Sequence, residues 1–197
     1  MNEFQQATFL TSAAKVSQLP ADQGVEVAIV GRSNAGKSSV LNVLTNQKHL
    51  ARTSKTPGRT QLINLFQLDQ TRRLVDLPGY GFAKVSESIK RQWQETLSQY
   101  LEERECLKGL ILVMDCRHPF KDTDSAIIDW CLESDLACHI LLNKADKLSR
   151  SQQQTALLQA KKKLKEHSEL VTMQLFSTLN RQGLDELKKQ LQSWYKF

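Results

Sequence analysis

Two hydrophobic periods alternate along the chain. Residues 25–30 are a short apolar run, interrupted by Glu26 alone, the pattern of a buried strand. Residues 39–46 then place Val40, Leu41 and Leu44 at helical spacing. Residues 61–69 alternate, and residues 72–76 form a further short strand. Over 86–104, Ile89, Trp93, Leu97, Tyr100 and Leu101 recur in steps that fit one helix face. Residues 107–114 are an apolar run apart from Lys108, the mark of a central parallel strand. A helix over 122–135 turns Ile127, Ile128, Cys131 and Leu132 inward, and a buried strand follows at 136–142. The rest predicts a helix from about 149 to 165, a strand at 170–176 and a last helix burying Leu184, Leu187, Leu191 and Trp194. About six strands alternating with helices predict an α/β domain: a mostly parallel sheet with helices on both faces, over residues 25–197. Residues 1–24 hold Phe4, Phe9, Leu10, Val16 and Leu19 without a clear period. They read as an N-terminal arm, an extra strand or turn packed on that domain. Residues 47–60 are polar, contain Pro57 and Gly58, and read as a mobile loop.

In such a fold, ligands sit at the carboxyl ends of strands, and the unusual polar clusters fall there. After the first strand come Gly31, Arg32, Ser33, Asn34, Ala35, Gly36, Lys37 and Ser38, the pattern G-x-x-x-x-G-K-S between a strand and a helix. Glycines permit the turn, and loop amides with a helix N-terminus converge on phosphate. Lys37 supplies a cation for the terminal phosphates, and Ser38 a hydroxyl for Mg²⁺. Asp76, Leu77, Pro78 and Gly79 end another strand. There a carboxylate can hold a Mg²⁺-bound water, and a glycine lets its amide approach the γ-phosphate. Asp-Leu-Pro-Gly alone also reads as an ordinary turn; its place after the first motif gives it weight. Asn143, Lys144, Ala145 and Asp146 follow a third strand. Guanine offers two donors on one edge, N1–H and the 2-amino group, which one carboxylate accepts together. Adenine offers neither, so Asp146 would be left desolvated and unpaired. Phe176, Ser177 and Thr178 follow the last strand, where a loop amide meets guanine O6. Thr60, with Thr53 and Thr56 nearby, sits where a loop folded over phosphates would end. Its hydroxyl would reach Mg²⁺ and its amide the γ-phosphate, an order–disorder switch.

Composition narrows the setting. The 197 residues suggest one domain with a sizeable core. No apolar run is long enough to span a membrane, and the N-terminus lacks the pattern of a signal peptide. Cys106, Cys116, Cys131 and Cys138 form no C-x-x-C pair and read as buried, reduced thiols of a cytoplasmic protein. The net charge of +6 lies wholly in the last quarter. Residues 147–197 carry 10 Lys+Arg against 4 Asp+Glu, whereas residues 1–146 carry 17 of each. Lys161, Lys162, Lys163 and Lys165 stand out. The stretch reads either as an RNA-facing surface or as a solvated helix face.

Taken together, these motifs resemble the translation-factor-related GTPases, and within them the EngB family (also called YihA or YsxC). The resemblance rests on G-R-S-N-A-G-K-S at 31–38, T-S-K-T-P-G-R-T-Q at 53–61, D-L-P-G-Y-G at 76–81, N-K-A-D at 143–146 and F-S-T-L-N-R-Q-G at 176–183. It implies the three-layer sandwich of a P-loop GTPase, a GTP or GDP ligand, and Mg²⁺ held by Ser38, Thr60 and, through water, Asp76. It also implies a site that includes Gly58, Arg59, Gln61 and Leu62. The expected role is a nucleotide-dependent switch in assembly of the large ribosomal subunit, needed for normal cell division and septation. The partners would be that subunit or its precursor, with rRNA on the basic C-terminal surface, and the protein a monomer. The family often has Thr at the position of Asn143, and its serine-rich ending becomes Ser177-Thr178 here.

Hydrolysis would proceed by positioning and charge neutralisation through Lys37, Thr60, Mg²⁺ and loop amides. Tyr80 stands where Ras-like enzymes have a water-orienting glutamine, so intrinsic turnover is expected to be slow. Arg32, Arg52 and Arg59 are near the phosphates in sequence. Two other classes stay open: a nucleotide-gated binding module with negligible hydrolysis, and a P-loop phosphotransferase. In GTPases that use K⁺ in place of an arginine finger, an asparagine occupies the position of Asn34. The alternative is that Asn34 only stabilises the turn. Hydrolysis is expected to be faster in K⁺ than in Na⁺, and Asn34→Ala to remove the difference. Equal rates in both salts, unaltered by the substitution, would leave Asn34 a turn residue.

Overall fold

A computed structural model describes residues 3–51, 62–81 and 87–197. In order they form β1 (Thr8–Ala13), β2 (Val25–Gly31), α1 (Lys37–Thr45), β3 (Ile63–Gln67), β4 (Arg72–Asp76), α2 (Glu87–Glu103), β5 (Leu107–Asp115), α3 (Asp122–Glu133), β6 (Cys138–Asn143), α4 (Arg150–Lys163), β7 (Val171–Leu175) and α5 (Leu184–Tyr195). The strands join one sheet in the order β1-β3-β4-β2-β5-β6-β7. Pairings from β4 through β7 are parallel; β1–β3 and β3–β4 are antiparallel. The α/β sandwich expected from the alternating periods is present, with seven strands rather than about six.

The additional strand is β1, inside the arm. It pairs with β3 through a register shift between Phe9 and Thr11. Its residues are mostly exposed, including Phe9 and Leu10, so no buried period marks it in sequence. Backbone pairing holds it, and the irregularity blunts an open edge. Phe9 meets Phe66 edge-on at 6.1 Å.

Alternation along the central strands sorts the core into two layers. Ala28 and Val30 of β2, Leu110, Leu112 and Met114 of β5, and Ile140 and Leu142 of β6 face α2, α3 and α4. Val27, Ile29, Ile111, Val113 and Leu141 face α1 and α5. On α2, Leu97, Tyr100 and Leu101 are buried as expected, whereas the side chains of Ile89 and Trp93 lie outside the described residues. On α5, Tyr195 is fully buried and Trp194 only partly, its indole lying over Gly109. All four cysteines are free and buried. Burial pushes the Cys106 thiol up to about 12 and Cys116 up to about 11.

At the amino end of β2 lies a buried ionic cluster. The Glu26 carboxylate is fully buried and accepts from Tyr100 Oη at 2.8 Å and Arg104 Nη2 at 2.6 Å. Arg73 Nε lies 3.0 Å from the same carboxylate. Asp22 accepts from the amides of Glu105 and Cys106 at 2.9 and 3.0 Å. The cluster fastens the carboxyl end of α2 to β2, far from the carboxyl strand ends. Removing one partner of such a group strands the others. Glu26→Ala is therefore expected to lower unfolding stability by about 3–5 kcal/mol in urea titration. A loss below about 1 kcal/mol would show that the cluster contributes little.

Candidate nucleotide site

β2 lies where the strand order reverses, between β4 and β5, so the crevice at its carboxyl end is the fold's natural ligand site. Gly31 closes β2 under the carbonyl of Val113, where an added Cβ would come within 2.5 Å of the oxygen. The chain then turns through Asn34, at φ 64°, and Gly36, at φ 100°. At Gly36 both the left-handed backbone and the adjoining Asn143 amide exclude a side chain. Arg32 and Ala35 close the turn with a 3.0 Å backbone hydrogen bond, and α1 begins at Lys37. Its first-turn amides therefore open toward the loop, an arrangement suited to an anion. Ser33, Lys37 and Ser38 are half-buried, and Asn34 is exposed at the apex.

The Lys37 ammonium pairs with the Asp76 carboxylate at the end of β4. Both side chains are shielded, at 12% and 9% exposure, so a cation and an acidic oxygen face each other across the loop mouth. After Asp76, Leu77 and Pro78 are buried and Gly79 is half-buried. The Leu77 amide donates to Ile29 O at 3.0 Å, and the Ser33 amide to Tyr80 O at 2.7 Å. The Asp76–Gly79 turn is thereby tied to the glycine loop by backbone. Tyr80 points away from this mouth into the core and donates to Asp124 Oδ1 at 2.5 Å. Burial first, then the Asp124 charge, pushes the Tyr80 hydroxyl far up, so it stays protonated. It cannot orient a water at the phosphate side. Arg32 packs beside Tyr80 and Gly81.

The third cluster is joined directly to the first. Asn143 is buried, and its amide donates to Ala35 O at 2.7 Å. Its Oδ1 is buried without a partner, an expensive condition that a polar ligand would relieve. Lys144, at φ 64°, reaches across to Asn34 O at 2.6 Å and to Asp115 Oδ2 at 3.0 Å. The buried Ala145 donates its amide to Phe176 O at 3.0 Å, joining this loop to the 176–178 turn. There the Ser177 hydroxyl, fully buried, donates to Asp146 Oδ1 at 2.6 Å. That bond, ahead of all other influences, holds the Asp146 carboxyl below the usual range, so it is an anion at neutral pH. Thr178 is half-buried beside it. Behind the turn, Gln174 donates through Nε2 to Gly183 O at 2.7 Å and accepts at Oε1 from His139 Nε2 at 2.9 Å.

The structure thus brings the residues of 31–38, 76–79, 143–146 and 176–178 to one end of the sheet. Gly58, Arg59, Thr60 and Gln61 lie outside the described residues, as do Arg52, Thr53 and Thr56; Leu62 is half-buried just before β3. Two contributors were not expected from sequence. Asp124 holds Tyr80, and Asp115 holds Lys144. Asp115 is the last residue of β5, so the strand-end rule that marks Asp76 and Asn143 marks it too. For Mg²⁺, the half-buried Ser38 hydroxyl and the Asp76 carboxylate are hard oxygen donors of the right kind. Among the described residues no cluster of three His, Cys, Asp or Glu side chains could ligate a metal.

A strand–glycine-loop–helix site joined to a carboxylate-bearing base loop on a mostly parallel sheet defines a P-loop GTPase. The family model described as "50S ribosome-binding GTPase" matches residues 26–144. Proteins named "Probable GTP-binding protein EngB" are close in sequence over nearly the whole length. That of Coxiella burnetii (strain CbuG_Q212) is 52% identical over 98% of this chain and 94% of its own. That of Pseudoalteromonas atlantica is 55% identical over 100% and 96%. The chain belongs to the EngB family of GTP-binding proteins. A crystal structure of a probable GTP-binding protein engB shares the fold with a TM-score of 0.71 at 20% identity, covering 87% of this chain and 99% of that one. Aquifex aeolicus Era bound to GDP and aluminium fluoride gives 0.67 at 25%, covering 87% and 57%.

The Ser177–Asp146 bond generates a test. Ser177→Ala removes a hydrogen bond to a charged group and is expected to weaken GDP binding about ten-fold in calorimetric titration. Unchanged affinity would mean that Asp146 needs no such support.

Proposed function

We propose that this protein is a GTP-hydrolysing switch that acts on the large ribosomal subunit or its precursor during assembly. The observation that carries the nucleotide half is the direct bonding of the Asn143–Asp146 loop to the glycine loop, through Ala35 O and Asn34 O. A base and a phosphate chain held by these two loops would be gripped as one ligand. In this reading Asp146 accepts the two guanine donors, and Asn143 and the Lys144 stem border the ring. Ala145 and residues 176–178 face its O6 side. Residues 31–38 hold the phosphates, Lys37 neutralises the terminal ones, and Ser38, Thr60 and water-linked Asp76 hold Mg²⁺. Gly58, Arg59, Gln61, Leu62, Leu77, Pro78 and Gly79 complete the surroundings. Arrival of the terminal phosphate would compete with Asp76 for Lys37, leaving the carboxylate to the Mg²⁺ side. Mg²⁺ when bound supplies charge neutralisation; the chain's own residues position and exclude water.

The ribosomal half is supported by the name of the matching family model and by the basic C-terminal quarter. A role in division and septation, a cytoplasmic location, a monomeric state and use of K⁺ at Asn34 belong to the same proposal. Residues 1–24 are read as an arm of the one G domain at 25–197. Among the described residues, no helix is long and apolar enough to cross a membrane.

A second reading, a nucleotide-gated binding module with negligible hydrolysis, is favoured by one observation. The Tyr80 hydroxyl, at the water-orienting position, is spent on Asp124. Single-turnover hydrolysis with purified protein separates the two. Slow but measurable phosphate release, raised by large subunits, is expected. The accompanying experiment is co-sedimentation with large ribosomal subunits, comparing GDP with a non-hydrolysable GTP analogue. Stronger pelleting with the analogue is expected; no pelleting in either state would reject the ribosomal assignment.

A further inference from the structure

Next to the nucleotide site, a groove of about 520 Å³ lies between residues 116–120 and α4, lined in part by Arg117, Phe120, Gln152, Thr155, Gln159 and Lys163. Its size is that of a small-ligand pocket. Three features set it apart. First, α4 contains no Asp or Glu over its whole length. Gln152, Thr155, Gln159 and Lys163 recur in steps of three and four, so amides, a hydroxyl and a cation run along the wall facing the groove, beside the small apolar Ala156 and Ala160. Second, Phe120 adopts φ 58°, a left-handed backbone that costs a bulky residue free energy. Its ring packs on the core from one side and lies under the Lys163 ammonium, 4.8 Å from the centroid. Third, the opposite rim carries Arg117, whose guanidinium grips Asp115 through Nε at 2.9 Å and Nη2 at 2.7 Å.

The lysine run therefore does not form one patch. Lys161, Lys162 and Lys163 splay around the helix, and only Lys163 lines the groove.

We propose that this groove takes a segment of single-stranded RNA, with a base replacing the Lys163 ammonium over the outer side of Phe120 and phosphates on the displaced Lys163 and on Arg117; this rests on the ribosomal reading above. An aromatic ring flanked by cations is the recurring platform for single strands. Amides that both donate and accept suit base edges, whereas an acidic peptide would need donors only.

The same groove is wired to the nucleotide. Asp115 is shared between Arg117 on the rim and Lys144, which in turn holds Asn34 O. A phosphate that draws Arg117 away leaves Asp115 to Lys144 and alters the hold of the guanine-side loop on the glycine loop. Occupancy of one site thereby changes affinity at the other, and linkage makes the effect reciprocal.

The test uses the full chain and a fluorescently labelled short oligoadenylate, read by anisotropy across a salt series with GDP present. Arg117→Gln and Lys163→Gln are each expected to weaken binding about ten-fold and to lower the slope of log affinity against log salt by about 0.7. Phe120→Leu, which keeps an apolar contact but removes the ring, is expected to weaken binding about ten-fold without changing the slope. Lys189→Gln, on α5, is expected to behave as the unaltered protein. Oligoadenylate should change GDP release several-fold, and Arg117→Gln should abolish that change. Binding of both cation variants equal to that of the unaltered protein overturns the groove assignment. Displacement of the RNA by polyglutamate at equal charge concentration replaces it with an acidic-protein site. GDP release indifferent to RNA overturns the coupling. Large-subunit co-sedimentation separates this proposal from the one beneath it. If the cation variants pellet as fully as the unaltered protein, the groove proposal fails and the ribosomal reading stands. If the unaltered protein fails to pellet, the ribosomal reading itself fails.

Discussion

The hydrogen bond from the Asn143 amide to Ala35 O is the constraint on which the site depends. It joins loops that leave two different strands, β2 and β6, with β5 between them. The bond is short because Gly36 has no side chain; any Cβ there would occupy the space of the Asn143 amide. One missing carbon thus lets a phosphate-side loop and a base-side loop behave as a single rigid piece. Lys144 adds a second tie, to Asn34 O, and Asp115 holds Lys144 in turn. The Asp115 carboxyl lies far below the usual range, chiefly because Arg117 binds it, so this anchor stays charged throughout the neutral range.

On the phosphate side the ties are of another kind. Backbone bonds join Ser33 to Tyr80 and Leu77 to Ile29, so the Asp76–Gly79 turn is held to β2 and the glycine loop. Tyr80 then drives its ring into the core and fixes its hydroxyl on Asp124, whose other oxygen accepts the Lys121 amide at 2.9 Å. A residue whose position suggests chemistry serves here to hold the end of the Asp76–Gly79 turn against α3.

Much of this was legible in the sequence because local chemistry dictated it. Glycines at 31 and 36, the apolar run of β5 and the alternation of β3 each carry a signal in a window of a few residues. β1 carried no clear period, because Phe9 and Leu10 face solvent and what holds the strand is the ladder to β3 with the Phe9–Phe66 and Ser12–Asn64 contacts beside it. Asp115 and Asp124 were missed for a related reason. Their partners, Lys144 and Tyr80, lie 29 and 44 positions away, so only the folded sheet brings them together. The lysine run left two readings open, an RNA-facing surface or a solvated helix face. Helical geometry turns neighbours roughly 100° apart, so of Lys161, Lys162 and Lys163 it is Lys163 that lies over the Phe120 ring.

The ionic cluster around Glu26 has a mechanical side. It grips α2 at Tyr100 and Arg104, the end remote from the Asp76–Gly79 turn. The helix has 17 residues, so it is about 25 Å long. Any tilt that leaves the buried carboxylate paired is a rotation about that gripped end. A swing of about 10° would then carry the opposite end about 4 Å. The buried charges at the foot of β2 would act as a fulcrum, and the nucleotide end of α2 as the long arm of the lever.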